Sequence, residues 1–159
     1  MTNESSKEKN ITSAEETLRQ RSFIELAQAL TAQKSNAAGR PLTYCLTTFG
    51  CQMNEHDSEI MAGMLSEKGY EQASSREEAD IVIFNTCSIR ENADKRFFGT
   101  LGQLKKRKMA DKAEFTVCVC GCMMQQQHIV DTLKEKYPWV DVVFGTHNLH
   151  QLPELLDHL

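Results

Sequence analysis

The sequence predicts an α/β fold of Rossmann or flavodoxin-like type: a mostly parallel sheet with helices on both faces, plus an N-terminal helical extension. Three observations predict it. From Pro41 onward, short apolar runs alternate with stretches whose apolar residues recur at helical spacing. The run at residues 81–85 is apolar up to its last residue, as in strands covered on both faces of a parallel sheet. A length of 159 residues with 40% hydrophobic and 25% charged residues suits one globular domain with a tail.

The elements follow in order. Residues 1–12 are polar and expected to be mobile. Ser13 with Glu16 reads as a capping box, and Phe23, Leu26, Ala27 and Leu30 repeat at helical spacing, so a helix is expected over about residues 14–33. Asn36, Gly39 and Pro41 are expected to break it, making residues 1–41 an extension and residues 42–159 the domain. Residues 42–49 read as the first strand, and Asn54 as the cap of a helix carrying Ile60, Met61, Met64 and Leu65 that Gly69 stops. A short strand at 70–73 and the buried strand at 81–85 come next. Ser88 with Glu91 forms a second capping box, opening a long helix that turns Ala93, Phe97, Leu101 and Leu104 to the core. Residues 115–120 make a strand, and a helix bearing Ile129, Val130 and Leu133 runs to Tyr137 and Pro138. Residues 142–144 make a last strand before a leucine-rich terminal helix, and no internal repeat is present.

Composition excludes several functions. A formal net charge of -4 argues against this chain gripping a nucleic-acid backbone by itself, which takes a positive surface. The first forty residues hold no apolar run of membrane-spanning or signal-peptide length, so a cytoplasmic location without a membrane partner is expected. In that compartment the six cysteines are metal ligands, reactive thiols or small core residues rather than disulfides.

Their positions separate them into two groups. Cys45, Cys118 and Cys120 lie inside predicted strands and alternate with threonine or valine, the pattern of packed residues. Cys51, Cys87 and Cys122 instead end three different strands, within Gly50-Cys51-Gln52-Met53-Asn54, Asn85-Thr86-Cys87 and Cys120-Gly121-Cys122. Open α/β sheets bind ligands outside the carboxyl ends of their strands, so residues distant in sequence can meet there. Each of the three also precedes a predicted helix start, where free N–H groups favour an anionic metal-sulfide centre. Gly50 and Gly121 are expected to let the backbone turn tightly and approach a bulky ligand. Zinc fits poorly, because no C-x2-C pair exists and Cys118, Cys120 and Cys122 with His128 do not point to one tetrahedral centre. Dispersed cysteines suit an iron-sulfur cluster better.

The three cysteine motifs, in this order and closed by Phe144-Gly145-Thr146 and Leu152-Pro153-Glu154, resemble the N-terminal domain of the radical-SAM methylthiotransferases. The resemblance runs from about residue 44 to about residue 156, and Ser88-Ile89-Arg90-Glu91 after Cys87 is similar to the MiaB-type, tRNA-modifying branch. It implies that Cys51, Cys87 and Cys122 bind an auxiliary [4Fe-4S] cluster with one iron free of protein ligands. It further implies transfer of sulfur to C2 of N6-isopentenyladenosine in tRNA, with sulfur and electron donors as partners. A second [4Fe-4S] cluster on a C-x3-C-x2-C loop would cleave S-adenosylmethionine. That loop is missing from the sequence, so the radical-SAM and C-terminal RNA-binding domains are expected to lie outside this chain, and the chain alone is not expected to modify tRNA.

The rival reading is a non-catalytic flavodoxin-like binding module for a nucleotide or zinc, with redox-sensing cysteines. Against it, none of the three loops has the second glycine of a phosphate-cradling turn, and no C-x-x-C redox pair exists. Lys105-Lys106-Arg107-Lys108 reads as a solvated, dipole-matched helix end rather than an RNA contact. Asn54 and Asn85 either donate to cluster sulfides or organise the turns. His56, His128, His147, His150 and His158 show no metal-binding spacing and are expected at the surface.

Overall fold

The computed structural model describes residues 13–50, 52–87, 93–110 and 115–157. In chain order these form α1 (Ser13–Ala38), β1 (Thr43–Thr48), α2 (Gln52–Lys68), β2 (Glu71–Gln72), β3 (Ile81–Thr86), α3 (Ala93–Gln103), α4 (Lys105–Ala110), β4 (Thr116–Gly121), α5 (Gln127–Lys136), β5 (Val142–Phe144) and α6 (Leu152–Asp157). Short 3-10 turns at Cys122–Gln125 and Thr146–Gln151 lead into α5 and α6. The five strands form one sheet in the order β2-β1-β3-β4-β5, every pair parallel. This is the doubly wound, flavodoxin-like order.

Alternation along the strands divides the core into two layers. Val82, Phe84, Val117 and Val119 face Phe97, Leu101, Ile129 and Leu133 of α3 and α5. Ile81, Ile83, Cys118, Cys120, Val142 and Phe144 face Met61 and Leu65 of α2 and Leu152 and Leu156 of α6. β3 is buried at all six positions, as expected of a central strand covered on both sides.

Four local expectations need correction. The first helix does not stop before Asn36 but runs to Ala38, where Gly39 takes φ 69°. Of its apolar repeat, Ala27 is buried against α2 and α6, whereas Phe23 and Leu26 are exposed; Gln28 Nε2 donates to the Glu67 carbonyl at 2.6 Å. Asn54 does not cap α2, which already begins at Gln52; it is a buried residue of the first turn, with its amide turned to β3. The long helix after Cys87 is two pieces, α3 and α4, parted at Leu104. Phe97, Leu101 and Leu104 are buried as expected.

The basic run is only partly a solvated face. Lys105 and Lys106 are exposed, but Lys108 is buried and its Nζ donates to the Phe115 carbonyl at 2.6 Å and to Asp141 at 2.7 Å. Arg107 donates to the carbonyls of Arg76 and Ala79 and lies 3.8 Å above the Phe115 ring. Half the run is therefore internal fastening. Both capping boxes rest on side chains outside the described residues, as do residues 1–12, Cys51 and His158.

Candidate functional site

In a sheet of this order the strand order switches direction between β1 and β3, β2 lying to one side and β4 and β5 to the other, and the crevice beyond their carboxyl ends is where such folds take ligands. The pairing of β1 with β3 continues one step past the strand, since Phe49 N donates to the Asn85 carbonyl at 2.7 Å. Phe49 is anchored beneath the rim by Phe84 and Phe97, with ring centroids 5.9 and 6.0 Å away. Gly50 consequently falls against Cys87. A Cβ on Gly50 would stand 2.1 Å from Cys87 Cβ and 3.0 Å from its Sγ, and the residue holds φ +139°. Gly121, at φ +106°, would bring a Cβ to 2.2 Å from the Thr86 carbonyl oxygen. Both glycines do permit close approach, but what approaches is the neighbouring strand end rather than open ligand space.

Thr86 and Gly121 are the last register partners of β3 and β4, and Cys87 and Cys122 are the residues that follow them. The structure thus brings these two cysteines to neighbouring positions on one rim. Cys87 is buried and Cys122 half-buried. Cys51 lies outside the described residues; Gly50 and Gln52 on either side are described. Beyond β5 the chain turns back, and Thr146 Oγ1 donates to Cys122 Sγ at 3.7 Å.

Below the rim the polar groups satisfy one another, as buried groups must. Asn85 Nδ2 donates to the Asn54 carbonyl at 2.8 Å and to Ser58 Oγ at 3.0 Å, and Asn54 Nδ2 donates to the Thr86 carbonyl at 2.8 Å. Thr48 and Ser58 share a 2.7 Å hydroxyl contact, and Thr86 Oγ1 donates to the Cys120 carbonyl at 2.7 Å. Both asparagine amides therefore organise the loops. Sequence reasoning missed Ser58, Thr48, Thr86 and Thr146, because a hydroxyl on a helix or strand carries no mark of its cross-strand partner.

The remaining cysteines sit apart from the rim. Cys118 and Cys120 are completely buried in β4, and burial pushes both thiols up, away from the thiolate a metal needs. Cys120 Sγ lies 3.8 Å from Met61 Sδ. Cys45 is half-buried, its thiol raised chiefly by burial. His128 is exposed on α5, and among the described residues no three His, Cys, Asp or Glu side chains gather as a metal site.

Residues 43–145 match the family described as "Uncharacterized protein family UPF0004". The chain belongs to that family. Its UPF0004 segment starts with β1 and ends just after β5, so it contains every strand and the rim, with α1 and α6 outside it. The UPF0004 chain is also similar to larger curated proteins. The tRNA-2-methylthio-N(6)-dimethylallyladenosine synthase of Acetivibrio thermocellus is 51% identical over 149 residues, 93% of this chain and 31% of the relative. The protein of the same name from Clostridioides difficile is 45% identical over 152 residues, covering 95% of this chain and 32% of its own. That of Clostridium perfringens is 51% identical over 113 residues, 71% of this chain and 25% of the relative. The chain spans about a third or less of the length of these three. No helix among the described residues is long and apolar enough to cross a membrane.

Proposed function

We propose that this chain is the N-terminal domain of a tRNA methylthiotransferase that converts N6-isopentenyladenosine to its 2-methylthio derivative, and that it holds an auxiliary [4Fe-4S] cluster through Cys51, Cys87 and Cys122. The observation that carries the reading is the rim itself. Cys87 and Cys122 directly follow the paired residues Thr86 and Gly121, and Gly50, the neighbour of Cys51, lies against Cys87. The names of the relatives support the substrate and the reaction.

The donor set fits such a group chemically. Soft sulfur ligands select iron-sulfur clusters, and among the described residues Asn54, Asn85 and Thr146 supply amide and hydroxyl donors at the rim, compatible with an anionic centre. Cys51, Cys87 and Cys122 would hold the cluster, which would supply the sulfur for transfer. The chain's own residues do the positioning. Phe49 fixes the first loop from below, the Asn54 and Asn85 amides tie it to the end of β3, and the completely buried strand beneath keeps water from that side. In this reading a second cluster, S-adenosylmethionine and the main grip on tRNA belong to domains beyond these residues, consistent with the net charge of -4.

Anaerobic reconstitution with iron and sulfide, read by iron content and visible absorption, tests the assignment. The parent chain should load, and Cys51→Ala, Cys87→Ala and Cys122→Ala should each lose iron and absorption. Full loading in all three variants overturns it.

A further inference from the structure

We infer that Thr146 is a positioning residue for Cys122, its hydroxyl donating a hydrogen bond that steadies the sulfur and draws charge from it when the cluster is bound. The inference deepens the reading above and rests on it. β5 pairs with β4 in the register Cys120↔Phe144, so the residue two places beyond Phe144 comes level with the one two places beyond Cys120. Those residues are Thr146 and Cys122. The backbone then fixes the hydroxyl: Gly145 is extended at φ -86° and ψ 171°, and Asn148 N bonds its carbonyl at 3.0 Å, starting the 3-10 turn at Thr146. The result is the 3.7 Å contact from Oγ1 to Sγ.

Two physical consequences follow. A donor held against a ligand sulfur orients it, which slows its departure from a metal. A hydrogen bond to a cluster sulfur also favours the more negative, reduced cluster, so it raises the reduction potential. A fourth strand end thereby contributes to a centre whose ligands come from three others.

Thr146→Val removes the donor while keeping the shape, and Thr146→Ser keeps the donor. After anaerobic reconstitution, Thr146→Val should show a midpoint potential shifted to more negative values and faster bleaching of visible absorption by an iron chelator. Thr146→Ser should return both toward the parent. A Thr146→Val potential equal to that of the parent overturns the inference while leaving the cluster assignment standing, and so does a Thr146→Ser shift as large as the valine one. Failure of the underlying reading has a different signature: Cys51→Ala, Cys87→Ala and Cys122→Ala then all load iron like the parent, and both statements fall together.

Discussion

The two rims of the sheet are fastened in opposite ways. At the amino ends the fastening is ionic. Asp80, just before β3, accepts hydrogen bonds from Thr43 N at 2.8 Å and from both terminal nitrogens of Arg40. Asp141, just before β5, repeats the device, accepting from Val117 N at 2.8 Å and from Lys108 Nζ at 2.7 Å. In each case an aspartate at a strand start clamps the start of the neighbouring strand. At the carboxyl ends the fastening is neutral, made from the Asn54 and Asn85 amides, the Thr48, Ser58 and Thr86 hydroxyls, and two glycines. Among the described residues, charge is thus used where only the fold must be held, and the hydrogen bonds given beside Cys87 and Cys122 come from amides and hydroxyls.

The largest break in this contrast should come from the neutral rim. Gly121→Ala forces a side chain into a positive-φ position with a backbone oxygen 2.2 Å away, and should cost about 3–5 kcal/mol of stability in urea unfolding. A change under about 1 kcal/mol would show that the strand ends separate easily. Next comes the buried half of the ionic rim. Lys108→Met strands the Phe115 carbonyl and removes one partner of Asp141, at a cost of about 2–3 kcal/mol by the same measurement.

The smallest effect is expected at Asp80, where it sharpens the comparison through pH. Burial raises this carboxyl, but the hydrogen bonds from Arg40 and Thr43 outweigh it and hold the group below the ordinary carboxylate range. Its stabilising contribution is complete above the unfolded-chain value of about 3.9 and disappears as pH falls through the depressed folded value. Unfolding curves from neutral to acid pH should therefore show the parent more stable than Asp80→Asn near pH 7, with the gap closing only below about pH 4. A gap that persists unchanged in acid would mean that shape rather than charge is responsible.

What could be read from the sequence was what depends on neighbours in the chain. The apolar run of β3 and the alternation of Cys118 and Cys120 with valine sufficed to locate a central strand and two packed thiols. The ends of β1, β3 and β4 could be matched to Cys51, Cys87 and Cys122 because a parallel sheet aligns its carboxyl ends; the placement of Cys87 and Cys122 follows that rule. Features set by partners distant in sequence escaped. Lys108 looks like any surface lysine until Asp141, 33 residues on, is seen beside it. Asn54 reads as a cap because asparagine favours that place, yet the carbonyl of Thr86, 32 residues away, claims its amide. Asn36 reads as a breaker, but α1 lies on α2 and α6, and tertiary contact carries a helix past a residue of modest propensity.

The outer strands have a consequence for association. β2 offers two residues, both polar and exposed, and β5 only three. A foreign strand arriving at either side would find too few free amides and carbonyls to zip against, so growth of the sheet from copy to copy is blocked at both margins. A chain with a completely buried, largely apolar middle strand can in this way be concentrated without templating fibrils through its edges.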